Sequence, residues 1–204
     1  DHETVSKFIS SMIRGFETNH LMSCAKHFPG HGNTLKDSHY DLPIVKKPLE
    51  EIRNEELQPF IKAVKARVDM IMMAHIIVED IDPELPCSLS PKAHAILRNE
   101  LKYKGLILSD DMQMGAITAH RGTGEAAMMA IRAGSDLVEY RDMAEAMLGL
   151  EGLKKAQKDK TIKAADFADR LGRIEEHKKA YFTEYKPIYI PDLEKKFNRK
   201  QTQV

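Results

Sequence analysis

Two short stretches of the chain hold the residue types that move protons and attack electrophiles. AKHFPGHGNTLKDSHYDLP, residues 25–43, sets Lys26, His27, His31, Asp37 and His39 around a Pro-Gly turn, and GLILSDDMQMGA, residues 105–116, places Asp110 and Asp111 after an apolar run. Asp37 and His39 are one residue apart, so an extended backbone puts both side chains on one side. A carboxylate beside an imidazole fixes its tautomer and raises its basicity, which suits proton donation and acceptance near neutral pH. The same spacing also fits a hydrogen bond that merely fastens a loop. Of the two adjacent acids, alternation lets only one face a given side of the strand. Asp110 is the candidate for chemistry, and capping of the following helix is the competing reading, stronger for Asp111 than for Asp110.

Lys26 and His27 close an apolar run, where an ammonium is expensive to bury unless it meets a ligand or a carboxylate. They are candidates for substrate binding. His75, in MMAHI, joins them as a candidate, with a satisfied core histidine as the open alternative. His31, between two glycines, reads as a residue that ties the turn together.

The elements that must carry these residues follow from hydrophobic patterning. LMSCAKH (21–27), VDMIMMAH (68–75), GLILSD (105–110) and GSDLVE (134–139) are short, nearly uniform apolar runs, the signature of buried parallel strands. Helical patterns lie between them near 50–66, 91–102 and 123–133, with Pro48 and Pro91 as start signals and Gly105 and Gly134 as stop signals. Further helices are expected over 1–18, 141–156 and 164–182. Alternating strand and helix argues an α/β fold with a parallel sheet. Lys26, His27, His75, Ser109 and Asp110 then all fall at the carboxyl ends of strands, where parallel α/β folds bind ligands.

Composition narrows the function classes. The 204 residues are 42% hydrophobic and 30% charged, ordinary for a globular domain. Lys plus Arg equals Asp plus Glu at 31 each, so no global field favours nucleic acid or an anionic membrane. No apolar stretch approaches the roughly 18–20 residues that cross a bilayer. Cys24 and Cys87 read as reduced thiols rather than a disulfide framework, which favours a reducing compartment, hence the cytoplasm.

Taken together, KHFPGHGNTLKDSHYDLP, then ELQPFIKAV and MMAHI, then GLILSDDMQMGA about seventy residues beyond the first motif, closely resemble glycoside hydrolase family 3, and within it the bacterial NagZ-type β-N-acetylglucosaminidases. The resemblance covers residues 1–140 well and extends into the helical remainder. It implies a (β/α)8 TIM-barrel type of fold, acting without metal or organic cofactor. The implied reaction removes terminal N-acetylglucosamine from peptidoglycan muropeptides with retention of configuration. By motif, Asp110 resembles the nucleophile that forms a glycosyl-enzyme intermediate. His39 resembles the general acid/base oriented by Asp37, in place of the second carboxylic acid that most glycosidases use. Lys26 and His27 resemble the pair that binds sugar hydroxyls.

Two departures stand out. Asn33 occupies a position where the family usually shows aspartate, and only about the C-terminal four β/α units of eight are visible. Residues 1–185 are therefore expected to form the C-terminal portion of a barrel domain, and 186–204 a tail, packed on the barrel underside. A half barrel exposes sheet edges, so a missing N-terminal half-barrel is the expected partner. Two other readings stay open: a metal-dependent barrel hydrolase using His27, His31, His39, His75 and Asp110, and a non-catalytic sugar-binding or assembly fragment.

Overall fold

The computed structural model describes residues 1–32 and 42–182. Helix α1 (His2–Thr18) opens the chain, its first turn capped by the Asp1 side chain accepting from Thr4 N at 2.7 Å. Strand β1 (Cys24–Phe28), a short β2 (Ile44–Val45), α2 (Leu49–Asn54), α3 (Leu57–Lys65), β3 (Met70–Met73) and β4 (Ile77–Val78) follow. Next come α4 (Pro91–Ala95), continued by a π turn at Ile96–Glu100, then β5 (Leu106–Asp111), α5 (Gly115–Thr118), α6 (Thr123–Ala133), β6 (Leu137–Glu139), α7 (Met143–Lys158) and α8 (Ala165–Tyr181).

Four strands form one sheet in the order β1-β3-β5-β6, every neighbouring pair parallel. Each connection between them contains helix, as parallel neighbours require. The expected strand and helix positions recur here, with one difference. The single helix expected near 50–66 is two, because Pro59 lacks an N–H and its ring would strike the carbonyl of Glu55 four residues back, so the backbone breaks at Glu55 (φ −120°, ψ −76°). The two-residue strands β2 and β4, paired in parallel, were not expected from the sequence.

Parallel pairing points partner side chains to the same face. Ala25, Ile71, Met73 and Ile107 pack with Ile13, Ile52, Phe60, Ala63 and Leu97 of the helices in one buried cluster on the convex side. Cys24 and Lys26, on the opposite face of β1, are exposed, and half-buried Asp110 alternates with Leu108 toward the same concave side. Strand alternation thus turns Lys26 away from the apolar neighbours that flank it in sequence. Cys24 and Cys87 are both free thiols.

The amino ends of the strands are stapled from below by α8. Arg173 Nε and Nη2 donate to Asp136 Oδ1 at 2.9 and 2.7 Å, while Asp136 Oδ2 accepts from Arg98 Nη2 at 2.6 Å and from Ile107 N at 2.7 Å. At the far end, Tyr181 Oη donates to Asp69 Oδ1 at 2.6 Å, and Asp69 Oδ2 accepts from Ser23 N at 2.7 Å. The underside contacts expected of residues 186–204 concern a segment outside the described residues. Among the described residues, α8 crosses that side.

His94 joins this lower layer, its Nδ1–H donating to Ser90 O at 2.9 Å and its Nε2 accepting from Ser135 Oγ at 3.0 Å. Burial pushes the imidazole down to about 4. Because the unfolded chain binds this proton at higher pH than the folded one, stability should fall as pH drops from the ordinary histidine value toward 4. The expected loss between pH 7 and 5 is about 2 kcal/mol. Urea unfolding at the two pH values checks this, and His94→Gln should flatten the dependence.

Candidate active site

The carboxyl end of β5 separates the roles of its two acids. Asp110 Oδ1 accepts from Asp111 N at 2.8 Å, and Asp110 Oδ2 lies 3.6 Å from His27 Nε2 at the end of β1. The two side chains are 15% and 29% exposed, so the pair is accessible from the concave side without being immersed in water. Asp111 is committed locally: its Oδ1 accepts from Gln113 N at 2.9 Å and its Oδ2 meets Arg141 Nε at 2.6 Å. The helix-capping role weighed for Asp111 is not what its contacts show: α5 has Met114 at its N-cap with no side-chain cap, and Asp111 instead fastens the turn to Gln113 and pairs with Arg141.

Gln113 extends this bracket to the β6–α7 turn, its Oε1 accepting from Arg141 N at 2.8 Å and from Asp142 N at 3.1 Å. Ser109, fully buried, uses its Oγ to accept from Glu139 N at 3.0 Å, which ties the ends of β5 and β6 together.

His75 is buried behind the site. Its Nε2–H donates to the Asp111 carbonyl at 3.0 Å, and its Nδ1 accepts from Ser88 Oγ at 2.7 Å. Burial lowers its affinity for a second proton, the neighbouring Asp110 and the Asp111 carbonyl opposing the shift. Of the two roles left open for His75, this environment is that of the satisfied core histidine, and the expectation of a direct substrate contact is corrected on that ground. With no exposed surface and both nitrogens engaged, it steadies the strand end that presents Asp110.

Lys26 is exposed on β1, and between Ala25 and Phe28 the register to β3 shifts, at Lys26 and His27. His31 stacks edge-on to His27 with centroids 5.8 Å apart, consistent with the turn-tying role read for it. Asp37 and His39 lie outside the described residues. Among the described residues no group of three His, Cys, Asp or Glu side chains is placed to hold a metal ion.

Glu139, at the end of β6, is a neighbour of the site that the sequence reading passed over. Partial loss of water and the Asp110 and Asp111 carboxylates raise it above the usual carboxylate range, opposed by Lys26. The signal that located Asp110, an acid ending an apolar strand run, was equally present in GSDLVE.

Known proteins resemble this chain in sequence and in fold. The profile of the Glycosyl hydrolase family 3 N terminal domain matches residues 1–176. A beta-hexosaminidase of Stenotrophomonas maltophilia (strain K279a) is 37% identical over 139 residues, 68% of this chain and 41% of that protein. One from Idiomarina loihiensis is 38% identical over 135 residues, 66% of this chain and 40% of its own. Among solved structures, a glycoside hydrolase family 3 beta-N-acetylglucosaminidase from Paenibacillus sp. str. FPU-7 superposes with a TM-score of 0.84 at 32% identity, over 88% of this chain and 35% of that one. CbsA from Thermotoga neapolitana gives 0.86 at 34% identity, over 91% of this chain and 42% of its own. The chain thus spans about two fifths of the length of these relatives, and its parallel sheet with outer helices corresponds to part of a TIM-barrel-type domain. With the family profile matched over residues 1–176 and these relatives at 37–38% identity, this chain belongs to glycosyl hydrolase family 3.

Proposed function

We propose that this chain is the portion of a retaining β-N-acetylglucosaminidase that carries the nucleophile and the acid/base loop. The observation that carries the reading is Asp110, half-buried at the mouth end of β5, with one oxygen oriented by a backbone N–H and the other facing His27 across 3.6 Å. A carboxylate so held can attack an anomeric carbon and leave as the glycosyl-enzyme ester is hydrolysed. His39 protonates the leaving oxygen in the first half-reaction and takes a proton from water in the second, with Asp37 holding its tautomer. Lys26 and His27 bind ring hydroxyls of the same sugar.

The relatives named as beta-hexosaminidases support an N-acetylglucosamine-containing substrate. A muropeptide, cell-wall recycling and a cytoplasmic location are the finer proposals. Residues 1–185 act as part of the barrel domain, with 186–204 as its tail. The partner is a half-barrel supplying the remaining strands: β1 and β6 end the sheet, and α1 leaves Val5, Phe8, Met12 and Phe16 exposed along its outer face beside that edge.

The test is hydrolysis of 4-nitrophenyl N-acetyl-β-D-glucosaminide by the chain, alone and mixed with a half-barrel made from the preceding region of a relative. The first sugar product seen by NMR should be the β-anomer. His39→Ala should reduce kcat/KM by about 10²–10⁴ on a substrate with a poor leaving group, and less with nitrophenol, which needs little protonation. An α-anomeric first product would overturn the retaining assignment.

A further inference from the structure

The segment that bears Asp37 and His39 leaves the barrel mouth through Pro29–Gly32 and rejoins it at Leu42–Val45. Both stems are described, and both rest on the stretch around His75: Phe28 O accepts from Ala74 N at 2.8 Å, and Pro43 O accepts from Ile77 N at 2.9 Å. Pairing of β2 with β4 continues that contact at the returning stem.

One side chain reaches both stems: the Glu56 methylenes pack on Gly30, and the Glu56 carboxylate is paired with Lys47. At the departing stem Gly30 has φ +136°, and a Cβ there would stand 2.7 Å from Glu56 Cβ, so the Glu56 side chain is seated directly on the Gly30 backbone. Two residues beyond the returning stem, Lys47 Nζ donates to Glu56 Oε1 at 2.8 Å and Oε2 at 3.1 Å, and to Glu55 Oε2 at 2.5 Å. The Lys47 and Glu56 side chains are each only 15% exposed, whereas that of Glu55 is 59% exposed. This is a partly desolvated pair of defined geometry, unlike the mobile surface pairs that contribute little. The break between α2 and α3 that Pro59 imposes is what places Glu55 and Glu56 together at the head of α3.

We propose that Lys47 and Glu56 are positioning residues that clamp the two stems of the His39-bearing segment to each other. The proposal deepens the assignment of His39 as acid/base and rests on it. A catalytic group displaced by about 1 Å can lose about a hundredfold in rate, and the Glu56 side chain, packed on one stem and ion-paired beside the other, would pass on such a displacement when the pair is lost.

The experiment compares the full chain with Glu56→Gln, Lys47→Met and Lys47→Arg by amide hydrogen exchange and, with the complementing half-barrel added where turnover needs it, by turnover of 4-nitrophenyl N-acetyl-β-D-glucosaminide. Glu56→Gln and Lys47→Met should accelerate exchange at Gly30–Gly32 and at Leu42–Val45 together, tenfold or more, with β3 and β5 unchanged. They should lower kcat 10–100-fold with KM within threefold, and Lys47→Arg should restore most of both. Unchanged stem exchange, exchange rising across the whole sheet, or loosened stems with kcat intact would each overturn the clamp. The exchange readout does not depend on turnover, so it decides the clamp even if His39→Ala proves the acid/base assignment wrong.

Discussion

Asp110→Asn is expected to eliminate turnover, by a factor on the order of 10⁴ or more, while leaving the fold intact. The amide is isosteric and keeps an oxygen that can accept from Asp111 N, so the β5 turn has no reason to move. What disappears is the nucleophile and the negative charge that balances an oxocarbenium-like transition state. Asp110→Ala opens space at the same point, and added azide should restore partial turnover by attacking from the vacated side, giving a glycosyl azide of inverted configuration. The equivalent change at Asp111 should act differently. Asp111→Asn breaks the ion pair with Arg141 while its amide oxygen can still accept from Gln113 N, so it should lower stability slightly and reduce activity only modestly. Steady-state kinetics with circular dichroism on the three variants separates the two acids.

The largest effect on stability is expected at the opposite end of the sheet. The Asp136 side chain has no solvent exposure, and its two oxygens serve Arg98, Arg173 and the Ile107 amide. Asp136→Ala would leave two guanidinium groups and a buried N–H without their acceptor, and removal of one partner from a buried charge network typically costs 3–5 kcal/mol. Arg98 and Arg173 are only 21% and 25% exposed, so water relieves little of that loss. Urea titration should show the midpoint falling with the denaturant slope unchanged. Arg173→Met should cost less, since Arg98 still neutralises the carboxylate, and it should loosen α8 in particular.

The division of labour between the two ends of the strands explains why some of this was visible in sequence and some was not. Strand runs such as LILSD are short, apolar and bounded by glycine or polar residues, so period and length alone locate them. An acid or imidazole at the end of such a run then points to the mouth, which is how Asp110, Lys26 and His27 were found. Glu139 ends the expected run GSDLVE and obeys the same rule, yet it was passed over because a lone acid there stands outside the two motif stretches on which the reading concentrated.

The environment of His75 was not legible, because its partners Ser88 and Asp111 stand 13 and 36 residues away. The staple of Asp136 by Arg98 and Arg173 depends on residues 38 and 37 positions distant, and no local pattern announces it. The split of the helix near 55 was legible in principle from Pro59, whose missing N–H and bulky ring act four residues upstream. The orientation of Lys26 follows from strand alternation, which turns it to the concave face, away from the apolar neighbours that flank it in sequence.

The claim on which the functional account stands is that Asp110 becomes covalently bonded to sugar during turnover. Incubating the chain, with its complementing half-barrel where that is needed for turnover, with a fluorinated N-acetylglucosaminyl fluoride that forms the ester faster than it is hydrolysed, and then mapping peptides by mass spectrometry, tests this directly. The account predicts one added sugar on the peptide containing Asp110, absent in Asp110→Asn and released when the analogue is removed. A sugar found on another carboxylate, or one that persists in Asp110→Asn, would contradict it.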